Sequence, residues 1–215
     1  MNGIRMHRVF LPRGHSTTTV PVTFVTAERW REQRERLDGP ARAFADAAGF
    51  EPKPGRHLLL PGAEGALAGA LFGLEPPGAA HKDPFAPGAL SGLLPAGAYR
   101  FANTPHDSKL AALAFALGTY RFTRYRKQDA KELQLELPGN VDGEDLSRMV
   151  EGVFLARDLI NTPANDMGPP ELEEAARTLA QRHGADMHAI VGDDLPRRIS
   201  RSFMRSVARP PGHRA

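Results

Sequence analysis

Apolar and polar positions alternate from Val20 to Val25 (VPVTFV), where valine and threonine dominate, and this pattern predicts a strand. Two short helical patterns follow. One runs from Ala27 to Leu37; the other begins at Pro40, a good first helical position, and stops near Gly49. His57 to Leu60 and Leu67 to Leu74 read as two strands, with Pro61 to Gly65 as a hairpin-like turn between them. The Pro/Gly-rich stretch from Glu75 to Gly97 predicts mostly loop, and Tyr99 to Ala102 a strand. Asp107 or Ser108 can cap a helix that runs to Gly118. Leu133 to Leu137 alternates again and stops at Pro138-Gly139.

The best helical pattern comes next. Leu146, Met149, Val150, Val153, Leu159 and Ile160 recur at near-helical spacing. Asn161-Thr162-Pro163 ends it, because proline disfavours helical geometry in the residue before it. Pro169 and Pro170 suit the start of another helix, with Leu172, Ala175, Ala176 and Leu179 as its apolar stripe and Gly184 as its stop. Met187 to Val191 reads as a strand. The succession predicts an α/β fold: a small mixed-sheet N-terminal domain, a long linker helix, and the first helix–strand unit of a further, incomplete α/β domain. The expected boundaries are a poorly ordered segment at 1–19, the N-terminal domain at 20–140, the linker helix at 141–160, the start of the second domain at 161–194, and a basic, disordered tail at 195–215.

Charge changes the picture only at that tail. The 215-residue chain carries a net charge of +3, yet six arginines (Arg197, Arg198, Arg201, Arg205, Arg209 and Arg214) lie in the last 21 residues, which hold no acid. Without them, 22 basic residues face 25 acidic ones. A nucleic-acid domain would spread its basic residues over a folded face, so no nucleic-acid partner is expected. There is no run of about 18 apolar residues for a membrane span and no apolar h-region at the N-terminus. There is no cysteine, which excludes disulfides and thiolate metal sites and fits the cytoplasm.

Motifs for other chemistries are missing. Gly62, Gly65, Gly69 and Gly73 fit neither G-x-G-x-x-G nor the P-loop spacing, so a hairpin is the better reading. No G-x-S-x-G elbow occurs, and the eight histidines contain no H-E-x-x-H pair. His183 and His188 read as surface or half-buried histidines without a third ligand, and Asp193-Asp194 as a solvated loop. Tyr120, Phe122 and Tyr125, interleaved with Arg121, Arg124 and Arg126, could stack on bases, but a strand or helix end with alternating faces explains them better. The stripe through Val153 and Leu159 reads as interdomain packing.

The block from Glu151 to Pro170 (EGVFLARDLINTPANDMGPP) resembles the leucyl aminopeptidase (cytosol aminopeptidase) family. Asn161, Pro163 and Asn165 match an N-x-P-x-N segment that ends the family's linker helix. The stretch ELEEAARTLAQRHGADMHAIVGDDL resembles its first catalytic-domain elements, and ALGTYRFTRY the end of its shorter N-terminal domain. The similarity covers residues 20–194 and is strongest from Val150 to Leu195. The resemblance implies a cytoplasmic, homo-hexameric metallopeptidase that hydrolyses peptide substrates with two divalent ions, Mn or Zn. In the family the ligands are a lysine, three aspartates and a glutamate, carried on G-K-G-x-x-F-D-T-G-G-like and N-T-D-A-E-G-R-like motifs. Neither motif occurs here, and the last lysine is Lys131. No catalytic, cofactor-binding or metal role is therefore assigned to any residue, and Asn161, Pro163 and Asn165 are given a structural role at the domain junction. The expectation is an inactive N-terminal fragment. The alternative is a stand-alone, non-catalytic α/β module that binds a small ligand or a protein partner.

The similarity fails near Asp194. One allowed back-translation of the tail, read two nucleotides later, gives A-A-P-N-F-P-L-I-H-A-V-G-R-A-S, which matches the family's continuation. A frameshift is the expected origin of residues 195–215.

Overall fold

In a computed structural model the described residues are 6–15, 18–62, 65–126 and 131–190. Their backbone divides after Asn161 into two units. The first is a six-stranded sheet with helices on both faces. In chain order its elements are β1 (Phe10–Leu11), β2 (Val20–Val25), α1 (Trp30–Glu35), α2 (Gly39–Ala47), β3 (His57–Pro61), β4 (Leu67–Gly73), α3 (Leu90–Leu93), β5 (Gly97–Phe101), α4 (Ser108–Gly118), β6 (Leu133–Glu136) and α5 (Gly143–Asn161). The second unit contains α6 (Pro169–His183).

The sheet order is β1-β6-β5-β2-β4-β3. All neighbours are parallel except the β3–β4 hairpin, which makes the sheet mixed as the strand pattern predicts. Along β2 and β4 successive side chains enter opposite cores. Val22, Phe24, Ala70 and Phe72 face a core built with α4 and α5, while Val25 and Leu71 face a second core with Ala41 and Ala45 of α2 and with Phe50. Burial on both faces explains why LFG in β4 is continuously apolar. In β6, by contrast, Leu133 and Leu135 are buried while Gln134 and Glu136 are only partly so, because no helix core covers the second face there.

Helix α4 is the inner helix. Its residues Ala111 to Ala116 are all buried, between the sheet, the 3-10 turn Ala86–Ala89 with α3, and α5. Asp107 caps it, its carboxylate accepting the Leu110 amide at 2.8 Å. Small side chains let the backbones approach closely. A Cβ on Gly118 would lie 2.1 Å from Ser91 Oγ and 2.6 Å from the Gly88 carbonyl oxygen. Gly73 in β4 is held the same way, against the Lys53 carbonyl.

Several sequence expectations need correction. The Glu75–Gly97 region, expected to be mostly loop, contains the 3-10 turn and α3, whose last carbonyls at Gly92 and Leu94 accept from Lys131 Nζ. Phe10 and Leu11, within the segment assigned above as poorly ordered, belong to the sheet: β1 pairs with β6, and Val9 and Phe10 are buried. The His7 amide donates to the fully buried Ser147 Oγ at 2.9 Å, and that hydroxyl donates to the Gly143 carbonyl at 2.6 Å. A two-residue strand has too short a pattern to be read; its anchor is 140 residues away. The core seam of α5 is Leu146, Val150 and Phe154, four residues apart, whereas Met149 and Ile160 of the expected stripe are exposed. Tyr120 to Tyr125 is neither strand nor helix.

Helix α6 starts at Pro169, with Glu171 accepting the Gly168 amide at 2.9 Å, and ends at Gly184 as its pattern predicts. None of its residues is buried, and the stripe residues Leu172 and Leu179 are exposed. Met187 to Ile190 forms no strand, because none of the described residues offers it a ladder to join. Val191, Asp193-Asp194 and the tail 195–215 lie outside the described residues, as do Ala63 and Glu64 of the expected hairpin turn.

Two predictions follow from this packing. Gly118→Ala should destabilise the domain by about 1–3 kcal/mol in urea unfolding, because neither Ser91 nor the Gly88 backbone can recede. His7 lies edge-on to Phe10 and Phe154. Burial, helped by the neighbouring Arg8 and opposed by Glu151, holds its imidazole below the ordinary value. The folded protein therefore binds fewer protons than the unfolded chain once pH falls below about 6.5. Stability is full above that pH and is lost as pH falls through the lower, folded value. His7→Gln should flatten the fall in melting midpoint on acidification.

Candidate functional site

Strand β2 is where the chain changes direction: β4 pairs on one side of it and β5 on the other, both parallel. In open α/β sheets such a switch point leaves a crevice beyond the carboxyl ends of the strands. Here β5 pairs with β2 only from Val20 to Val22, while β4 stays paired to Val25. The Ala102 amide makes one more ladder bond, to the Val22 carbonyl at 2.9 Å, and β5 then leaves.

Side chains take over the backbone groups thus exposed. Asn103 Oδ1 accepts the Phe24 amide at 2.8 Å, and its Nδ2 donates to the Phe24 carbonyl at 2.7 Å. Gln33 Nε2 donates to the same carbonyl at 3.0 Å, and Gln33 Oε1 accepts the Thr26 amide at 3.2 Å. Beneath them Phe24 packs edge-on to Phe101 and Phe72. These contacts hold open a cavity of about 300 Å³ whose lining includes Thr26, Arg29, Leu74, Lys82, Thr104 and His106.

The polar groups of this cavity are unevenly satisfied. Thr26 is 8% exposed, and its hydroxyl has no hydrogen-bond partner among the described residues. His106 Nε2 and Glu75 Oε2 are buried 3.5 Å apart, an ion-pair distance if the imidazole is protonated, yet neither makes a hydrogen bond. An adjoining cavity of about 310 Å³ shares Asn103 and Thr104 and adds Arg13, Arg100 and Glu136. Its carboxylate is already engaged, accepting the Gly14 amide at 3.4 Å and the Thr19 hydroxyl at 3.2 Å.

A second polar cluster secures the end of α5. Tyr120 donates its hydroxyl to Asp158 at 2.7 Å and accepts from Asn161 Nδ2 at 3.2 Å. Burial and the adjacent carboxylate raise its phenol above the ordinary value. Arg157 reaches across the Tyr120 ring to the Leu117 carbonyl at 2.8 Å, and Phe154 packs edge-on to that ring. The cluster accounts for Tyr120, while Phe122 and Tyr125 pack edge-on to each other with Arg124 against the Tyr125 ring. The Tyr120 cluster also fixes Asn161, the first residue of the N-x-P-x-N segment. Pro163 accepts the Asp166 amide at 2.9 Å in a turn of the second unit, a turn that includes Asn165.

The sequence model of the M17 aminopeptidase N-terminal domain matches residues 20–138, the segment that contains five of the six strands. The chain belongs to the M17 aminopeptidase family. Its curated relatives include a probable cytosol aminopeptidase of Leifsonia xyli subsp. xyli, 33% identical over 159 residues, which covers 66% of this chain and 32% of the relative. Another, from Wolinella succinogenes, is 29% identical over 156 residues, covering 64% of this chain and 32% of that protein. The crystal structure of the cytosol aminopeptidase from Coxiella burnetii superposes with a TM-score of 0.77 at 29% identity, over 88% of this chain and 41% of that one. The bottromycin maturation enzyme BotP in complex with Mn shares the fold, with a TM-score of 0.61 at 23% identity. The chain spans about a third of the length of these curated relatives.

Among the described residues no three histidine, aspartate or glutamate side chains gather at one point. His183 and His188 are both exposed. The donors among the described residues do not fit a two-ion centre. Nor does any described helix have the length and apolarity to cross a membrane.

The crevice residues escaped the sequence reading because Thr26, Gln33, Asn103 and His106 belong to no motif. The one available signal was the break in pattern after each predicted strand, at Thr26 and at Ala102-Asn103. Asn103→Ala should lower stability by about 1–2 kcal/mol in urea unfolding, because the Phe24 amide loses its acceptor just where β5 departs.

Proposed function

We propose that this chain supplies the non-catalytic N-terminal domain and linker helix of a leucyl aminopeptidase-like exopeptidase and is by itself inactive as a peptidase. The observation that carries the reading is the match of residues 20–138 to the family's N-terminal domain, together with the absence from the sequence of both metal-binding motifs. In this proposal the whole enzyme is a cytoplasmic homo-hexamer that releases N-terminal amino acids from peptides, and two divalent ions, Mn or Zn, supply the Lewis acid and the activated water. Residues 161–194 then begin the catalytic domain.

The chain's own residues do the structural part of this work. Tyr120, Arg157 and Asn161 tie the last turn of α5 to the end of α4, so the linker helix leaves the domain in one direction. Ser147 and His7 tie its first half to β1. Neither cluster contains a nucleophile or a general base placed against a cavity.

The purified chain, incubated with Mn²⁺ or Zn²⁺ and a leucine chromogenic amide, should release no chromophore above the metal-only control. Turnover that scales with protein concentration would overturn the proposal.

A further inference from the structure

We propose that the crevice at the carboxyl ends of β2, β4 and β5 is a binding site for a small ligand bearing an oxyanion, a phosphate or a carboxylate. This goes beyond the peptidase reading and does not depend on it. The site rests on geometry, on an unsatisfied donor and on charge.

The geometry is that of a switch point whose opening is built rather than incidental. The strands separate after Val22, and two side-chain amides, Asn103 and Gln33, hold the bared backbone so that the gap persists. The opening measures about 300 Å³, at the small end of ligand-pocket size.

Unsatisfied polar groups inside a fold are costly and few. Thr26 is more than nine-tenths buried, lines the cavity, and directs none of its hydroxyl hydrogen-bonding capacity to a described residue. An oxyanion supplies an acceptor for this hydroxyl.

Charge selects the ligand's sign. The lining carries Arg29, Lys82 and His106 and no carboxylate among its described residues. The Glu75 carboxylate lies outside the lining, 3.5 Å from His106 Nε2, and the lining's fixed cations are Arg29 and Lys82. Arg29 makes no side-chain hydrogen bond to a described residue, and Lys82 uses one donor, to the Pro77 carbonyl at 2.8 Å. A guanidinium and an ammonium around a buried hydroxyl suit phosphate or carboxylate.

The test is a ¹H–¹⁵N NMR titration of the full chain with sodium phosphate and, separately, sodium acetate, at ionic strength held constant with chloride. Saturable shifts centred on the amides of Thr26, Arg29, Thr104 and His106 are expected. Saturation by phosphate alone assigns a phosphoryl ligand; saturation by both assigns carboxylate chemistry too. The Arg29→Gln/Lys82→Gln variant changes two exposed side chains and should keep the native spectrum while weakening binding about tenfold or more. Thr26→Val should weaken binding several-fold and raise the melting midpoint of the free protein, because it removes a buried group that has no partner. Shifts that never saturate, shifts spread over arginines and lysines elsewhere, or unchanged affinity in the double variant would overturn the site. None of these outcomes depends on peptidase activity.

Discussion

The backbone at the end of β2 must be satisfied where its neighbours part. β4 follows β2 to Val25, but β5 stops pairing at Val22, so the amide and carbonyl of Phe24 face a gap. Buried backbone groups without partners are too costly to leave. Asn103 and Gln33 meet that need from two different segments, one after β5 and one on α1. The direction of the Asn103–His106 loop, the placement of α1, and the existence of a cavity between them all follow from this one requirement.

Two-sided burial of the same strand dictates the layers. Val22 and Phe24 need one apolar cover, and Val25 needs another. The chain provides α4 and α5 on one side and α2 on the other. Because α4 lies between the sheet and further helices, it is apolar around its whole circumference and rich in alanine. Gly118 and Gly88 are the points where that crowding leaves no room for a side chain. Away from β2 the demand relaxes: the second face at β5 and β6 carries Arg100, Gln134 and Glu136, and Glu136 accepts there from the Gly14 amide and the Thr19 hydroxyl.

The crevice lining, from Phe24 to His106, lies within the segment that matches the family. The M17 match covers the sheet domain, and the end of α5 is secured by Tyr120, Arg157 and Asn161. The unsatisfied Thr26 hydroxyl lies in the crevice at the carboxyl ends of the strands.

Local pattern alone determined the elements with enough length to show a period. VPVTFV, LQLEL, the Asp107-capped helix and the Pro169–Gly184 helix were legible because alternation, caps and proline or glycine stops act within a few residues. The resemblance carried by Asn161, Pro163 and Asn165 was legible for the same reason. What only the tertiary structure decided were the features whose cause lies far along the chain. β1 has two residues and exists because β6 and Ser147 receive it. Met187 to Ile190 have a strand's composition but join no ladder among the described residues. The crevice has no motif, because Thr26, Gln33, Asn103 and His106 become a site only where two parallel strands diverge. Periodicity reports which way a side chain faces; it does not report which backbone groups a departing strand leaves bare.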